Sequence, residues 1–148
     1  MMYRRIALSC SFALLLLVSA VYAEHNNGLE EIESGSFAPP APVVGAPGSI
    51  RVVIWNIERG LQLERVIEFL READADVVLL QESDLNARRT YRLDIAREIA
   101  EKLHMNYVFG REFEELTQGS RTSPAYHGQA TLSRWPLSNC ASRKLRSM

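Results

Sequence analysis

Apolar and polar residues follow one another from residue 50 onward in a pattern that predicts an α/β domain. Ile50–Ile57 and Asp76–Glu82 are apolar runs of strand length, and the second is continuously apolar from Val77 to Leu80, which is typical of a strand covered on both faces. Between the two runs, apolar residues recur at the spacing of one helix face, at Leu63, Val66, Ile67 and Leu70. A strand–helix–strand unit of this length predicts a right-handed crossover and parallel pairing of the two strands.

A second helix and two further strands are predicted after this first unit. The helix is marked by Ile95, Ile99 and Leu103, which lie one turn apart. It is followed by a strand at Asn106–Phe109, a polar loop at Arg111–Ala125 and a strand at Gly128–Ser133.

The first 23 residues have the composition of a secretory signal peptide. Arg4 and Arg5 precede the apolar run Phe12–Val18, and small residues place the expected cleavage after Ala23. The apolar run is short for a transmembrane helix, and an uncleaved anchor is the alternative. We therefore expect a secreted or periplasmic protein with no stable membrane span after cleavage.

Residues 24–49 lack any apolar period and are rich in proline and glycine toward their end. This composition predicts a disordered linker, which serves as a spacer or binds a partner, and a folded domain at residues 50–148. Loss of Arg4 and Arg5 would make a chain of formal net charge −1 more acidic, so general attraction to nucleic acid is not expected. Cys10 would leave with the signal, and Cys140 alone could form no intramolecular disulfide.

Two polar residues stand at the ends of the two strands of the first unit. Asn56 ends the first apolar run and Glu82 directly follows the second. Because neighbouring parallel strands end at the same edge of a sheet, we expect both side chains to converge on a site for a hard cation. The structural alternatives are an asparagine that caps the next turn and a solvated turn glutamate.

Three runs of residues together resemble the endonuclease/exonuclease/phosphatase superfamily. They are Val-Val-Ile-Trp-Asn-Ile at residues 52–57, Asp-Val-Val-Leu-Leu-Gln-Glu at residues 76–82, and His-Gly-Gln-Ala-Thr-Leu-Ser-Arg-Trp-Pro-Leu at residues 127–137. The resemblance covers roughly residues 50 to 137 in the order and spacing of the family. It implies a four-layer α/β/β/α sandwich of two packed sheets, of which this chain would form an incomplete N-terminal half.

The resemblance also implies a chemistry. Members of this family use Mg²⁺ (or Mn²⁺) and an in-line water attack on a phosphodiester or phosphomonoester. Glu82 matches the metal-binding glutamate, and Asn56 matches the catalytic asparagine that orients the phosphate and the water-activating aspartate. Glu58 falls where some members carry an acid for a second cation. The implied partner is a phosphoester substrate (nucleic acid, a phospholipid head group or a sugar phosphate), with no defined protein partner.

Two later motifs of the family, Gly-Asp-Phe-Asn and Ser-Asp-His, have no counterpart in these 148 residues, since no aspartate follows Asp94. None of the three histidines replaces the catalytic one: His25 is in the linker, His104 ends the second helix, and His127 begins the last strand near the site. We therefore expect a truncated phosphoesterase domain that is inactive alone.

Other interpretations of the chain and of its polar residues stay open. The alternative functions are a non-catalytic exported module that binds phosphate ligands, and a non-functional truncated product. Arg88 and Arg89 could steer a phosphate, but a solvated pair in a loop is favoured; for Tyr126, packing is favoured over stacking on a base. The strand face that carries Val52 and Ile54 needs a second sheet to cover it.

Overall fold

The computed structural model describes residues 28–40 and 48–143. The predicted signal peptide and part of the predicted linker lie outside these ranges. Within them, residues 28–30 are helical, and neither of the later helices has the length and apolarity needed to cross a membrane. The strands are β1 Ile32–Ser36, β2 Val52–Arg59, β3 Val77–Leu85, β4 Asn106–Glu114 and β5 Tyr126–Ser133; the helices are α1 Leu63–Ala73 and α2 Ile95–Leu103, and a 3-10 turn spans Arg88–Thr90.

The five described strands form one mixed sheet in the order β1-β4-β5-β3-β2. β2 and β3 are parallel and are joined through α1, as the strand–helix–strand pattern predicted. The other three pairings, β3 with β5, β5 with β4 and β4 with β1, are antiparallel. The predicted α/β class is thus confirmed, and the arrangement is that of a partial α/β sandwich.

The helices cover one face of the sheet and create the core there. Each helix buries its apolar stripe, and α2 is capped by Asp94, whose carboxylate accepts a hydrogen bond from the Arg97 N–H at 3.0 Å. Every second residue of a strand packs against the apolar stripes of the helices, because successive side chains of a strand point to opposite faces of the sheet. The largest fully buried apolar side chains are Val78, Leu80, Ile95, Ile99, Phe109 and Leu132.

The edge strand β1 corrects, for residues 32–36, the expectation of a disordered linker at residues 24–49. Ile32–Ser36 pairs antiparallel with β4, with Ile32 opposite Gly110 and Ser36 opposite Asn106. Arg111 on β4 forms ion pairs with both Glu31 and Glu33, and Phe37 stacks on Tyr107. Backbone hydrogen bonds and ion pairs do not require apolar residues at regular spacing. The sequence of β1 therefore lacks the hydrophobic pattern from which a strand could be predicted. β4 likewise runs to Glu114, into the predicted loop.

The face of β2 and β3 that points away from the helices is apolar and open to solvent. Side chains of Val52 and Ile54 are 44% and 64% exposed, and they stand in register with Val77 and Leu79. On the same face, near the edge formed by β1, residues 137–140 line a depression together with residues of β1 and β4. The apolar half near β2 is thus the part that an added layer would cover.

We expect the open face to drive self-association of the purified chain. Replacing Val52 and Ile54 by threonine keeps β-branched side chains and removes apolar surface, so association should weaken about tenfold or more per residue. Sedimentation over a concentration series measures the effect. Leu116→Thr is the matched control, since Leu116 is 79% exposed in a turn beyond β4. A wild-type chain that stays monomeric at high concentration would contradict the prediction.

Candidate metal and phosphate site

Asn56 and Glu82 meet at the carboxyl ends of the parallel strands β2 and β3. The amide Nδ2 of Asn56 donates a hydrogen bond to Oε1 of Glu82 at 2.7 Å. The predicted convergence of the two side chains is therefore observed. The roles assigned to them remain predictions.

A break in strand register brings the two side chains together. Asn56 is paired with Gln81, and the regular pairing of β2 with β3 is interrupted beyond it, before Arg59 pairs with Ser83. Strict alternation would aim Glu82 at the helices, on the same side as Leu80. Glu82 instead has a left-handed φ of 54°, and a bulge of this kind re-aims a side chain.

The Asn56 side chain is fixed from both ends of its amide. Its Nδ2 binds Glu82, while its Oδ1 accepts a hydrogen bond from the Glu58 N–H at 3.0 Å. An amide group carries two N–H donors, and the second of Asn56 has no partner among the described residues. Asn56 can thus hold Glu82 and still offer one donor to an incoming oxygen.

The chain turns sharply after Asn56 through three left-handed residues, Glu58, Arg59 and Gly60. The Gly60 N–H donates to the Ile57 carbonyl at 2.9 Å, which closes the turn. A Cβ at Gly60 would lie 2.5 Å from Cγ2 of Ile95 on α2, so only glycine fits there. This turn carries Arg59 back to Glu82, and Nη1 of Arg59 lies 3.4 Å from Oε2 of Glu82.

The structure places Glu58 beside this site. Its backbone binds Asn56, and its exposed side chain lines a depression at the start of α1 with Gln62 and Arg65. No contact between the Glu58 carboxylate and Glu82 is found among the described residues. Its role at a second cation stays a prediction.

Glu82 has the chemistry that a hard divalent cation requires. Its side chain is 35% exposed, and its two oxygens face one amide donor and one guanidinium. Mg²⁺ binds proteins through one or two carboxylates and retains several waters, so a single surface carboxylate with a fixed orientation fits it.

A second group of metal-ligand type lies further along β3, made of Asp84, Glu115 and His127. Their ligand atoms lie within 4.8 Å of one another. Nδ1 of His127 is 3.3 Å from Asp84 Oδ1, and the His127 ring stacks on Phe113 with centroids 4.8 Å apart. We call these three residues together with Arg89 the Arg89 cluster.

Arg89 supplies the positive charge of this cluster. Its Nε and Nη2 donate to the two oxygens of Asp84 at 2.7 and 2.8 Å, and Nη2 also reaches Glu115 at 2.5 Å. The hydrogen bond to Asp84 raises the pKa of the guanidinium, which stays charged. Arg89 therefore stands where a metal would bind, and its assignment as a solvated loop residue was wrong. Arg88 is exposed, as expected.

Sequence reasoning missed this cluster because its members come from three separated segments. A carboxylate two residues beyond Glu82 and an arginine five further on were visible, but their burial was not: Asp84 is 0% exposed. His127 is buried in this network and not presented to a substrate, and His104 caps the end of α2, as predicted. Tyr126 packs under the Arg111 guanidinium, 4.2 Å from its ring centroid.

Comparison with known proteins gives one match. The model of the Endonuclease/Exonuclease/phosphatase family matches residues 53–147. No curated protein and no solved structure matches the chain. The family match spans well over half of the 148 residues, and the matched part contains the Asn56–Glu82 corner and the Arg89 cluster.

The fold and the site thus define a protein of phosphoesterase type. The chain belongs to the Endonuclease/Exonuclease/phosphatase family.

We expect the Arg89 cluster to be a major source of stability. Arg89→Met leaves the buried Asp84 carboxylate without its cation, and the free energy of unfolding should fall by about 3–5 kcal/mol. Arg88→Met is the matched control in the same turn. Arg88 donates one hydrogen bond to the Thr117 carbonyl at 2.7 Å, so a loss of only about 0.5–1.5 kcal/mol is expected. Urea denaturation of both variants measures the difference, and equal losses would refute this account.

Proposed function

We propose that this chain is the metal-binding part of an exported, Mg²⁺-dependent phosphoesterase. One observation supports the proposal above the others: in a chain of this family, Asn56 and Glu82 are hydrogen-bonded at the ends of adjacent parallel strands. Open α/β sheets bind their ligands at the carboxyl ends of their strands, and the oriented carboxylate of Glu82 lies at such an end.

Glu82 holds the cation and Asn56 sets the direction of the carboxylate. The Asn56 hydrogen bond restricts Oε1 of Glu82, so a ligand would bind at Oε2, the oxygen that faces Arg59. The remaining Asn56 N–H is available to a phosphate oxygen. A bound Mg²⁺ would supply electrostatic stabilisation of the charge that develops on the phosphate oxygens.

These 148 residues carry no aspartate after Asp94, so the water-activating group that the family resemblance implies is missing from them. The two histidines among the described residues have structural positions: His104 caps the end of α2, and His127 contacts Asp84 in the Arg89 cluster. We therefore propose that the chain binds metal and phosphate without hydrolysing phosphoesters by itself.

The export part of the proposal rests on residues 1–23. Their charged start, apolar run and small residues before the expected cut are those of a signal peptide. We propose that the protein acts outside the cytoplasm, on a phosphoester whose organic part the sequence does not identify.

Metal binding tests the site directly. Mn²⁺ prefers the same oxygen ligands as Mg²⁺, and the loss of free Mn²⁺ signal by electron paramagnetic resonance reports its binding. Glu82→Gln keeps the hydrogen bond with Asn56 and removes the charge, so Mn²⁺ affinity should fall about tenfold or more. Glu68→Gln, on the exposed side of α1, is the matched control and should bind as the wild type does.

Two further measurements separate the alternatives. Glu115→Gln should leave Mn²⁺ binding intact; loss of binding in this variant but not in Glu82→Gln would move the cation to the Arg89 cluster. With Mg²⁺ and a generic phosphodiester, the purified chain should show no turnover above that of Glu82→Gln. Turnover that disappears on Glu82→Ala would instead show that the chain is a complete catalyst.

A further inference from the structure

Arg59 lies against the carboxylate proposed to hold the cation. Its Nη1 is 3.4 Å from Oε2 of Glu82, while Oε1 of the same carboxylate accepts the Asn56 hydrogen bond. The side chains of Arg59 and Glu82 are 41% and 35% exposed, so solvent reaches this pair. A cation bound at Glu82 and a guanidinium at the same oxygen would repel one another.

The backbone that delivers Arg59 is held in a disfavoured conformation. Glu58, Arg59 and Gly60 have φ values of 47°, 68° and 79°, and residues with a Cβ rarely adopt this region. Close packing of Gly60 on Ile95 and the hydrogen bond from the Glu58 N–H to Asn56 keep the turn in place. Left-handed residues of this kind are concentrated at ligand-binding sites.

Stability gives no sufficient reason for this arrangement. A solvent-exposed ion pair contributes little to folding, and here it is formed at the end of a strained turn. A guanidinium has a planar pair of donors that matches two phosphate oxygens. A bound divalent cation would take the Glu82 oxygen and free Arg59 for such a ligand.

We propose that Arg59 is a phosphate-binding residue with two alternate partners: Glu82 while no cation is bound, and an oxygen of the phosphate ligand once the cation occupies Glu82. This inference rests on the proposed function, because it requires Glu82 to be the cation ligand. It adds a phosphate-binding group on the side of Glu82 opposite Asn56.

The test measures Mn²⁺ and inorganic phosphate binding separately. Arg59→Gln removes the guanidinium that Mn²⁺ must displace from Glu82, so Mn²⁺ should bind about fivefold more tightly, the effect of one pair of unit charges about 4 Å apart in a water-like medium. Inorganic phosphate, titrated at saturating Mn²⁺, should bind about tenfold more weakly because a charge-assisted hydrogen bond is lost. The two affinities thus change in opposite directions, which a merely structural defect would not produce.

Two variants serve as controls. Arg71→Gln makes the same charge change on the exposed last turn of α1, at the opposite end of the sheet, and should alter neither affinity. Arg59→Lys retains the positive charge but lacks the planar pair of donors of a guanidinium. It should therefore bind Mn²⁺ as the wild type does and bind phosphate more weakly. Arg59→Lys also serves as the test should Arg59→Gln fail to fold, as judged by circular dichroism.

The outcomes separate this inference from the function on which it rests. If Glu82→Gln loses Mn²⁺ binding but Arg59→Gln changes neither affinity, or lowers both, the role of Arg59 is refuted and the metal site stands. If Glu82→Gln binds Mn²⁺ as well as the wild type does, the metal site at Glu82 is refuted, and the inference is refuted with it.

Discussion

The site depends on the loss of register between β2 and β3 at their carboxyl ends. Regular pairing as far as Asn56 fixes where that asparagine lies, and the left-handed φ at Glu82 then turns a side chain that alternation would bury. The 2.7 Å hydrogen bond between them follows from these two facts together. If β2 and β3 paired regularly to their ends, the same two residues would be present, but the Glu82 carboxylate would not be oriented toward Asn56.

The Arg89 cluster supports the same strand end from the other side. β3 continues beyond Glu82 to Ser83 and Asp84, which pair with Gly128 and His127 on β5, so the bulge is bounded by regular pairing at both ends. The Asp84 carboxylate is bound by Arg89, which ties the following loop and Glu115 to the sheet. Because a buried carboxylate without a cation is costly, this network constrains the chain directly after Glu82.

The sequence predicted the elements that have an apolar period and missed those that depend on pairing or charge. The helix of Val66, Ile67 and Leu70 was predictable because side-chain burial repeats every 3.6 residues. Edge strand β1 was not, since its hydrogen bonds to β4 are made by backbone and its ion pairs involve Arg111, far along the chain. For the site, the strand-end positions of Asn56 and Glu82 could be predicted, but the turn that brings Arg59 to them depends on contacts with α2.

The two faces of the sheet explain why the site lies where it does. One face is closed by the helices, while Val52 and Ile54 remain open on the other, and Asn56 follows them on the same face of β2. A layer placed over that face would contact the apolar residues and would form a wall beside the polar end of the strand. Covering would also lower the local dielectric constant, which strengthens the Coulomb attraction of Glu82 for a cation and of Arg59 for phosphate and raises the cost of removing water from both side chains. The same apolar surface that needs a cover thus determines how strongly the polar corner can bind.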